Sequence, residues 1–200
     1  MNWLKIAALT FFLVGCSQGD RGKAYITSQE GGISVIDLNT MEVVGQLKAG
    51  GYPRGIGITN DGTRIITANK AEASISITNK ETNEIEKVIE VGINPEFVRV
   101  FNDQVFVSTE PSSKGKPPAK GEMKKEEEDD DDDRTPAKIA VVDIVEGKKI
   151  REITAGPETE GIEFSKDGTQ IIVTNEADNT VTVHDFASGD LLKTFQAEAY

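Results

Sequence analysis

The chain has 200 residues, of which 34 are acidic and 22 basic, giving a formal net charge of −12. Such an acidic chain repels a phosphate backbone and cannot release its counterions, which excludes nucleic acid as a partner. The single cysteine, Cys16, and single histidine, His184, exclude an internal disulfide framework, a cysteine-rich zinc site, a Cys-x-x-Cys-His haem attachment and chemistry built on several histidines. With a leader, a tether and an acidic insertion set aside, about 160 residues remain for a folded core, enough for one domain.

Lys5 opens a short positive region, residues 6–14 are mostly apolar, and Leu13-Val14-Gly15-Cys16 presents small residues directly before the cysteine. The apolar run is too short to span a bilayer and reads as a secretory signal over residues 1–15. Its ending resembles the lipobox of bacterial lipoproteins. That resemblance implies cleavage before Cys16, acylation of its thiol and its new amino group, and a lipidated tether over residues 16–23. Several acyl chains anchor stably where one would not, at about 0.8 kcal/mol per buried methylene. Ser17 in place of Asp after the cysteine implies, by the same resemblance, the outer membrane, with the protein facing the periplasm.

From residue 24 onward the sequence repeats itself. The tetrads Tyr25-Ile26-Thr27-Ser28, Ile66-Thr67-Ala68-Asn69, Phe106-Val107-Ser108-Thr109 and Ile172-Val173-Thr174-Asn175 recur at about 40 residues once an insertion of about 26 is removed. Each is followed by a second apolar run: ISVID from Ile33, ISITN from Ile75, IAVVD from Ile139 and VTVHD from Val181. A third set starts at Glu42, Glu84, Lys149 and Leu191, and a fourth, at Gly55, Phe97 and Gly161, occurs only three times. Each run is short, rich in β-branched and aromatic residues and bounded by turn formers, and so predicts a strand. Asp61-Gly62 and Asp167-Gly168 predict hairpin turns. Asp37, Asn79, Asp143 and Asp185, at strand ends, predict Asx turns and a structural role.

Four antiparallel strands per repeat of about 40 residues predict an all-β fold, a β-propeller. The tetrads, the SVID-like strands and the Gly51-Tyr52-Pro53-Arg54-Gly55 approach resemble the YVTN-repeat propellers of bacterial and archaeal surface or periplasmic proteins. The resemblance covers residues 24–200 outside the insertion. It departs from the pattern at Asn94-Pro95-Glu96-Phe97 and at Pro157, where the proline is shifted. It implies a fold, and it implies little about a ligand. With the fourth set of strands taken as innermost, the chain holds about 3.75 blades, and seven-bladed closure requires about 120 further residues. The reading is therefore the N-terminal part of a seven-bladed propeller.

Loops from an outermost strand to the next innermost strand, and from second to third strands, are expected on one face. The first class carries Arg54, Glu96 and Glu160 at equivalent positions, and the second carries Asn69, Glu110, Asn175 and Glu176. These seven form the candidate ligand-binding rim, since binding residues concentrate on loops held by a rigid scaffold. The insertion, residues 110–138, contains an unbroken acidic run at 126–133 and is expected to be a disordered, solvated loop, without the fixed geometry of a calcium site. His184 falls in a third strand and is expected to be packed between blades. No catalytic set, metal site or cofactor is predicted. The expectation is a non-catalytic propeller in the cell envelope that binds a protein or a small molecule. Two alternatives are a propeller lactonase-type hydrolase and an accessory of periplasmic quinoprotein or cytochrome electron transfer.

Overall fold

The computed structural model describes residues 21–110 and 135–197. The predicted leader, Cys16, the first part of the tether (residues 16–20) and the interior of the acidic insertion lie outside the described residues. Strands β1 (Lys23–Ser28), β2 (Gly32–Asp37) and β3 (Glu42–Leu47) form a three-stranded sheet. Three four-stranded sheets follow in chain order. The first comprises β4 (Pro53–Ile58), β5 (Arg64–Asn69), β6 (Ser74–Asn79) and β7 (Ile85–Glu90). The second comprises β8 (Pro95–Phe101), β9 (Gln104–Thr109), β10 (Lys138–Asp143) and β11 (Lys148–Thr154), and the third β12 (Thr159–Phe164), β13 (Gln170–Asn175), β14 (Thr180–Asp185) and β15 (Leu191–Gln196). Each sheet is an antiparallel meander, one blade of a partial β-propeller, and the first blade lacks an innermost strand among the described residues.

Alternation of side chains along the strands welds blade to blade. In β9, Val105 and Val107 face the second blade, where they join Ile66, Ala68, Ile75 and Ile77; Phe106 faces the fourth. In β10, Ala140 and Val142 take the first side, Ile139 and Val141 the other. The interface between the third and fourth blades adds an aromatic cluster: Phe101 stacks on Phe164 at 4.2 Å, and Phe106 and Phe186 meet Phe164 edge-on at 4.8 and 5.9 Å. Edge-to-face and offset contacts of this kind stabilise beyond the area they bury. The second and third strands of the middle blades, β5, β6, β9 and β10, carry most of these cores, whereas the outermost strands β3 and β15 are almost wholly exposed.

The turn chemistry follows the sequence. Gly62 and Gly168 adopt φ of 69° and 71°. The Oδ1 atoms of Asp37, Asn79, Asp143 and Asp185 accept backbone N–H bonds of 2.7 to 2.9 Å from Asn39, Glu81, Glu146 and Ser188, which closes the same turn in every blade. The register also shifts at equivalent places, between Val35 and Ile36, Ile77 and Thr78, Val141 and Val142, and Val183 and His184. One extra residue there increases local twist, so the outer strand coils in the same way in each repeat.

Lys138, the last residue of the predicted insertion, belongs to β10, and Glu110, the first, follows β9 and bonds back to Asn94, which moves the boundaries inward. Thr109 pairs with Lys138 across β9 and β10, and Glu110 and Ala137 are buried. Polar composition suggested a loop there, but strand pairing and burial extend past the last apolar residue.

Candidate functional site

Each approach to an innermost strand is built alike. The residue just before the strand is left-handed: Tyr52, Asn94 and Glu158 have φ of 52°, 47° and 51°. Outside glycine and asparagine this conformation costs about 1–2 kcal/mol. Its carbonyl is held by the backbone N–H just beyond the neighbouring second strand: Lys70 to Tyr52 at 3.1 Å, Glu110 to Asn94 at 3.2 Å and Glu176 to Glu158 at 2.8 Å. The two loop classes therefore share one face, stitched by a recurrent hydrogen bond.

Arg54, Glu96 and Glu160 sit where the innermost strand carries more residues than its partner. Between Pro53 and Ile56, between Pro95 and Val98, and between Thr159 and Gly161 the register shifts against the second strand. Such bulges turn a side chain out of the ladder, and here they deliver one charged group per blade to the mouth of the array. Gly55 allows the next step. A Cβ there would lie 2.8 Å from the Val98 nitrogen and 3.0 Å from the Phe97 carbonyl carbon, and closer still to the Glu96 oxygen. Only a glycine lets β4 and β8 approach so closely.

That approach sets the Arg54 guanidinium directly on the Glu96 carboxylate, with the Lys70 ammonium on the other oxygen at 3.9 Å. The Glu96 side chain is only 12% exposed. Burial raises its pKa and outweighs the pull of Arg54 and Lys70, with Glu160 adding repulsion and an Asn94 hydrogen bond opposing it. Glu110 is more extreme. It is 6% exposed, its Oε1 meets no hydrogen-bond partner among the described residues, and its Oε2 accepts from the Asn94 amide at 3.5 Å. Burial, then repulsion from Glu96, Glu160 and Glu158, push its carboxyl up to about 7 against the attraction of Arg54. Such a group stands near half ionisation at neutral pH.

Of the seven rim candidates, Arg54 and Glu96 are in contact, with Glu110 and Glu160 within electrostatic reach of them; Lys70, Asn94 and Glu158, which the sequence reading had not singled out, lie in the same neighbourhood. Glu176 lies on the same face, exposed to solvent. Asn69 and Asn175 lie apart from this group. Both are buried inside their blades: Asn69 accepts from Thr67 at 3.0 Å and donates to Ser74 and Ser76, while Asn175 accepts from the Gly156 N–H at 3.0 Å and donates to Thr180 and Thr182. A Cβ on Gly50 or Gly156 would strike these two amides, so the glycine and the asparagine form one packing unit.

His184 is 2% exposed, with Nε2 3.1 Å from the Thr182 hydroxyl and Nδ1 3.2 Å from the Gly189 carbonyl; burial lowers its pKa. A groove of about 950 Å³ lies elsewhere, between the first and second blades, lined by Tyr25, Ile58, Arg64 and Lys80. It opens where β1 has no innermost neighbour, and Lys80, 4.8 Å over the Tyr25 ring, occupies the place that Phe186 fills between the last two blades. Among the described residues no three acidic, histidine or cysteine side chains are close enough to hold a metal ion.

No protein-family model matches the sequence, and no curated protein matches it. In structure, 772 solved chains are similar, so the likeness marks a widespread architecture. One is the Kuenenia stuttgartiensis hydrazine synthase, with a TM-score of 0.69 and 19% identity, over 88% of this chain and 46% of that one. The chain thus spans about half the length of that neighbour, and at this identity the likeness establishes the fold alone.

Proposed function

We propose that this protein is a non-catalytic binding propeller of the bacterial cell envelope, anchored by lipid at Cys16, whose ligand docks on the charged cluster around Arg54 and Glu96. The anchoring rests on the signal-like leader and the Leu13-Val14-Gly15-Cys16 ending. The observation that carries the binding reading is the convergence of Arg54, Glu96, Glu110 and Glu160 from bulges and loop ends of separate blades, with two carboxyls largely withdrawn from water. Withdrawn charges discriminate strongly among partners, because truncating one member of a desolvated pair typically costs about 2–5 kcal/mol.

The test is retention of the native partner, identified by pull-down from envelope extracts, by wild type and by Arg54→Glu at two salt concentrations. Arg54→Glu removes the group that holds Glu96 and is expected to weaken binding strongly; Arg54→Gln, which removes the cation without adding a like charge beside the buried Glu96 carboxyl, separates that loss from a loss of stability. Equal affinities reduce the cluster to a structural ion pair at the blade junction. A lactone-type hydrolase is the second reading, favoured by the Glu110 carboxyl, pushed up to about 7 by burial and by neighbouring acids, within the field of the Arg54 guanidinium. Lactone turnover that disappears in Glu110→Gln would establish it.

A further inference from the structure

We propose that the groove between the third and fourth blades receives the side-chain carboxamide of an asparagine or glutamine from a partner polypeptide, held on the free edge of β11. The groove has a volume of about 510 Å³ and is lined by Glu152 and Thr154 of β11, Thr182 and His184 of β14, and Ser188 and Leu191 beside them. It shares no residue with the Arg54–Glu96 pair, so its test is independent of that cluster. The Ala155 N–H donates to the Ala137 carbonyl at 3.0 Å, and bonded and non-bonded pairs alternate along an antiparallel ladder. The N–H and C=O of Thr154 and the C=O of Glu152, whose partners are Lys138 and Ala140, therefore turn away from β10 and onto the groove.

The other two junctions show what such an edge takes. Register places Gln46 and Lys48 of the first blade at the positions of Glu152 and Thr154. There the Asn83 carboxamide fills the edge: its Oδ1 accepts from the Lys48 N–H at 2.8 Å and its Nδ2 donates to the Gln46 carbonyl at 3.4 Å, while the Thr78 hydroxyl donates to the Lys48 carbonyl at 2.9 Å. Between the second and third blades the Lys149 ammonium reaches the Val91 carbonyl at 3.4 Å. In the fourth blade the equivalents of Asn83, Thr78 and Lys149 are Gly189, His184 and Leu191, and none of the three bonds β11 among the described residues. A Cβ on Gly189 would lie 2.9 Å from Ile153 Cγ1, so no side chain here can follow the path of Asn83 without displacing Ile153.

The facing wall satisfies itself. The Gly189 carbonyl can only accept, so His184 Nδ1 carries the proton, and Nε2 receives the Thr182 hydroxyl at 3.1 Å; the Thr182 oxygen accepts in turn from Asn175 Nδ2 at 3.3 Å. What remains along β11 is an acceptor, a donor and an acceptor. An ammonium brings donors alone and a carboxylate acceptors alone, whereas a carboxamide brings one of each kind side by side. The groove is larger than that group and has room for the residue that carries it.

The experiment follows the Thr154 amide resonance of the complete protein by NMR as N-acetyl-glutamine methylamide is added. Saturable shifts are expected at Thr154, with N-acetyl-glutamate methylamide binding several-fold more weakly because its ionised side chain brings no donor. Leu191→Lys supplies the ammonium that Lys149 supplies one blade earlier and should abolish binding; Leu191 is 58% exposed, so the fold is kept. Leu192→Lys, similarly exposed but outside the groove, should bind as wild type does. No saturable shift, equal binding of the glutamate probe, or binding that survives in Leu191→Lys overturns the inference. Propionamide binding as tightly as the glutamine probe assigns the groove to a free amide and overturns the polypeptide source.

Discussion

Gly55→Ala tests the close approach on which the cluster depends. The new methyl group would lie 2.8 Å from the Val98 nitrogen and 3.0 Å from the Phe97 carbonyl carbon. Ordinary contact is at about 3.5 Å or more, so β4 and β8 must part by roughly 0.5–1 Å. The opposing atoms are backbone and cannot swing aside as a side chain would. Overpacking costs about 1–3 kcal/mol, and the rigid neighbour puts this site at the upper end. With a urea m-value of about 2 kcal/mol/M, a loss of about 2–3 kcal/mol lowers the unfolding midpoint by about 1–1.5 M. Ligand affinity should fall as well, because Glu96 moves with β8 away from Arg54. Gly45→Ala is the control: nothing lies within 4 Å of a Cβ there, and a compatible Gly→Ala change stabilises by about 0.4–1 kcal/mol through the unfolded chain. A Gly55→Ala midpoint equal to wild type would refute the steric argument.

Deleting residues 112–135 should leave the fold and melting temperature nearly unchanged, because Thr109 and Lys138 are already paired and loop length enters closure entropy at only about 0.6 kcal/mol per doubling; a large drop on the complete protein would show that the segment packs. Cys16→Ser should move the protein from membrane to soluble envelope fractions, and an N-terminal peptide without acyl mass in the wild type would contradict the anchor. Stability should fall as pH rises from about 4.5 to about 7, since folded Glu110 holds its proton more tightly than the unfolded chain does. The stabilisation, present in full below that window, is of order 3 kcal/mol, and Glu110→Gln should narrow the difference between urea midpoints at the two ends of the window, the raised carboxyl of Glu96 keeping the remainder.

The strands were legible because their signal is local. Tyr25, Ile66, Phe106 and Ile172 mark the same place in successive blades, and hydrophobic alternation with Asp-Gly turns fixes register without knowledge of distant residues. The cluster was legible only in part. Arg54, Glu96 and Glu160 could be aligned, but the reason they leave the ladder is a register shift that a strand pattern does not encode. Asn69 and Asn175 looked like loop residues because they are polar and end a strand; the glycine of the following approach, folded back over each, encloses them instead. Lys70 was missed because its equivalents, Glu110 and Glu176, are acidic.

That last mismatch explains why an asymmetric site can arise on a repetitive scaffold. The backbone positions repeat: a left-handed residue, a bulge and a hydrogen bond from the neighbouring strand end occur at all three junctions. The side chains placed on them do not, running Arg54, Glu96, Glu160 in one column and Lys70, Glu110, Glu176 in the other. Both cations belong to the second blade, so its charge leans across the interface onto Glu96 of the third. Glu110, one strand further along the third blade, is left with repulsion from the fourth and burial from its own sheet. A scaffold that fixes identical positions around an axis thus lets single substitutions set the local field without disturbing the fold, since bulged residues contribute little to the ladder. Charge placement on such positions can change recognition while strand pairing, and hence the blade, stays as it is.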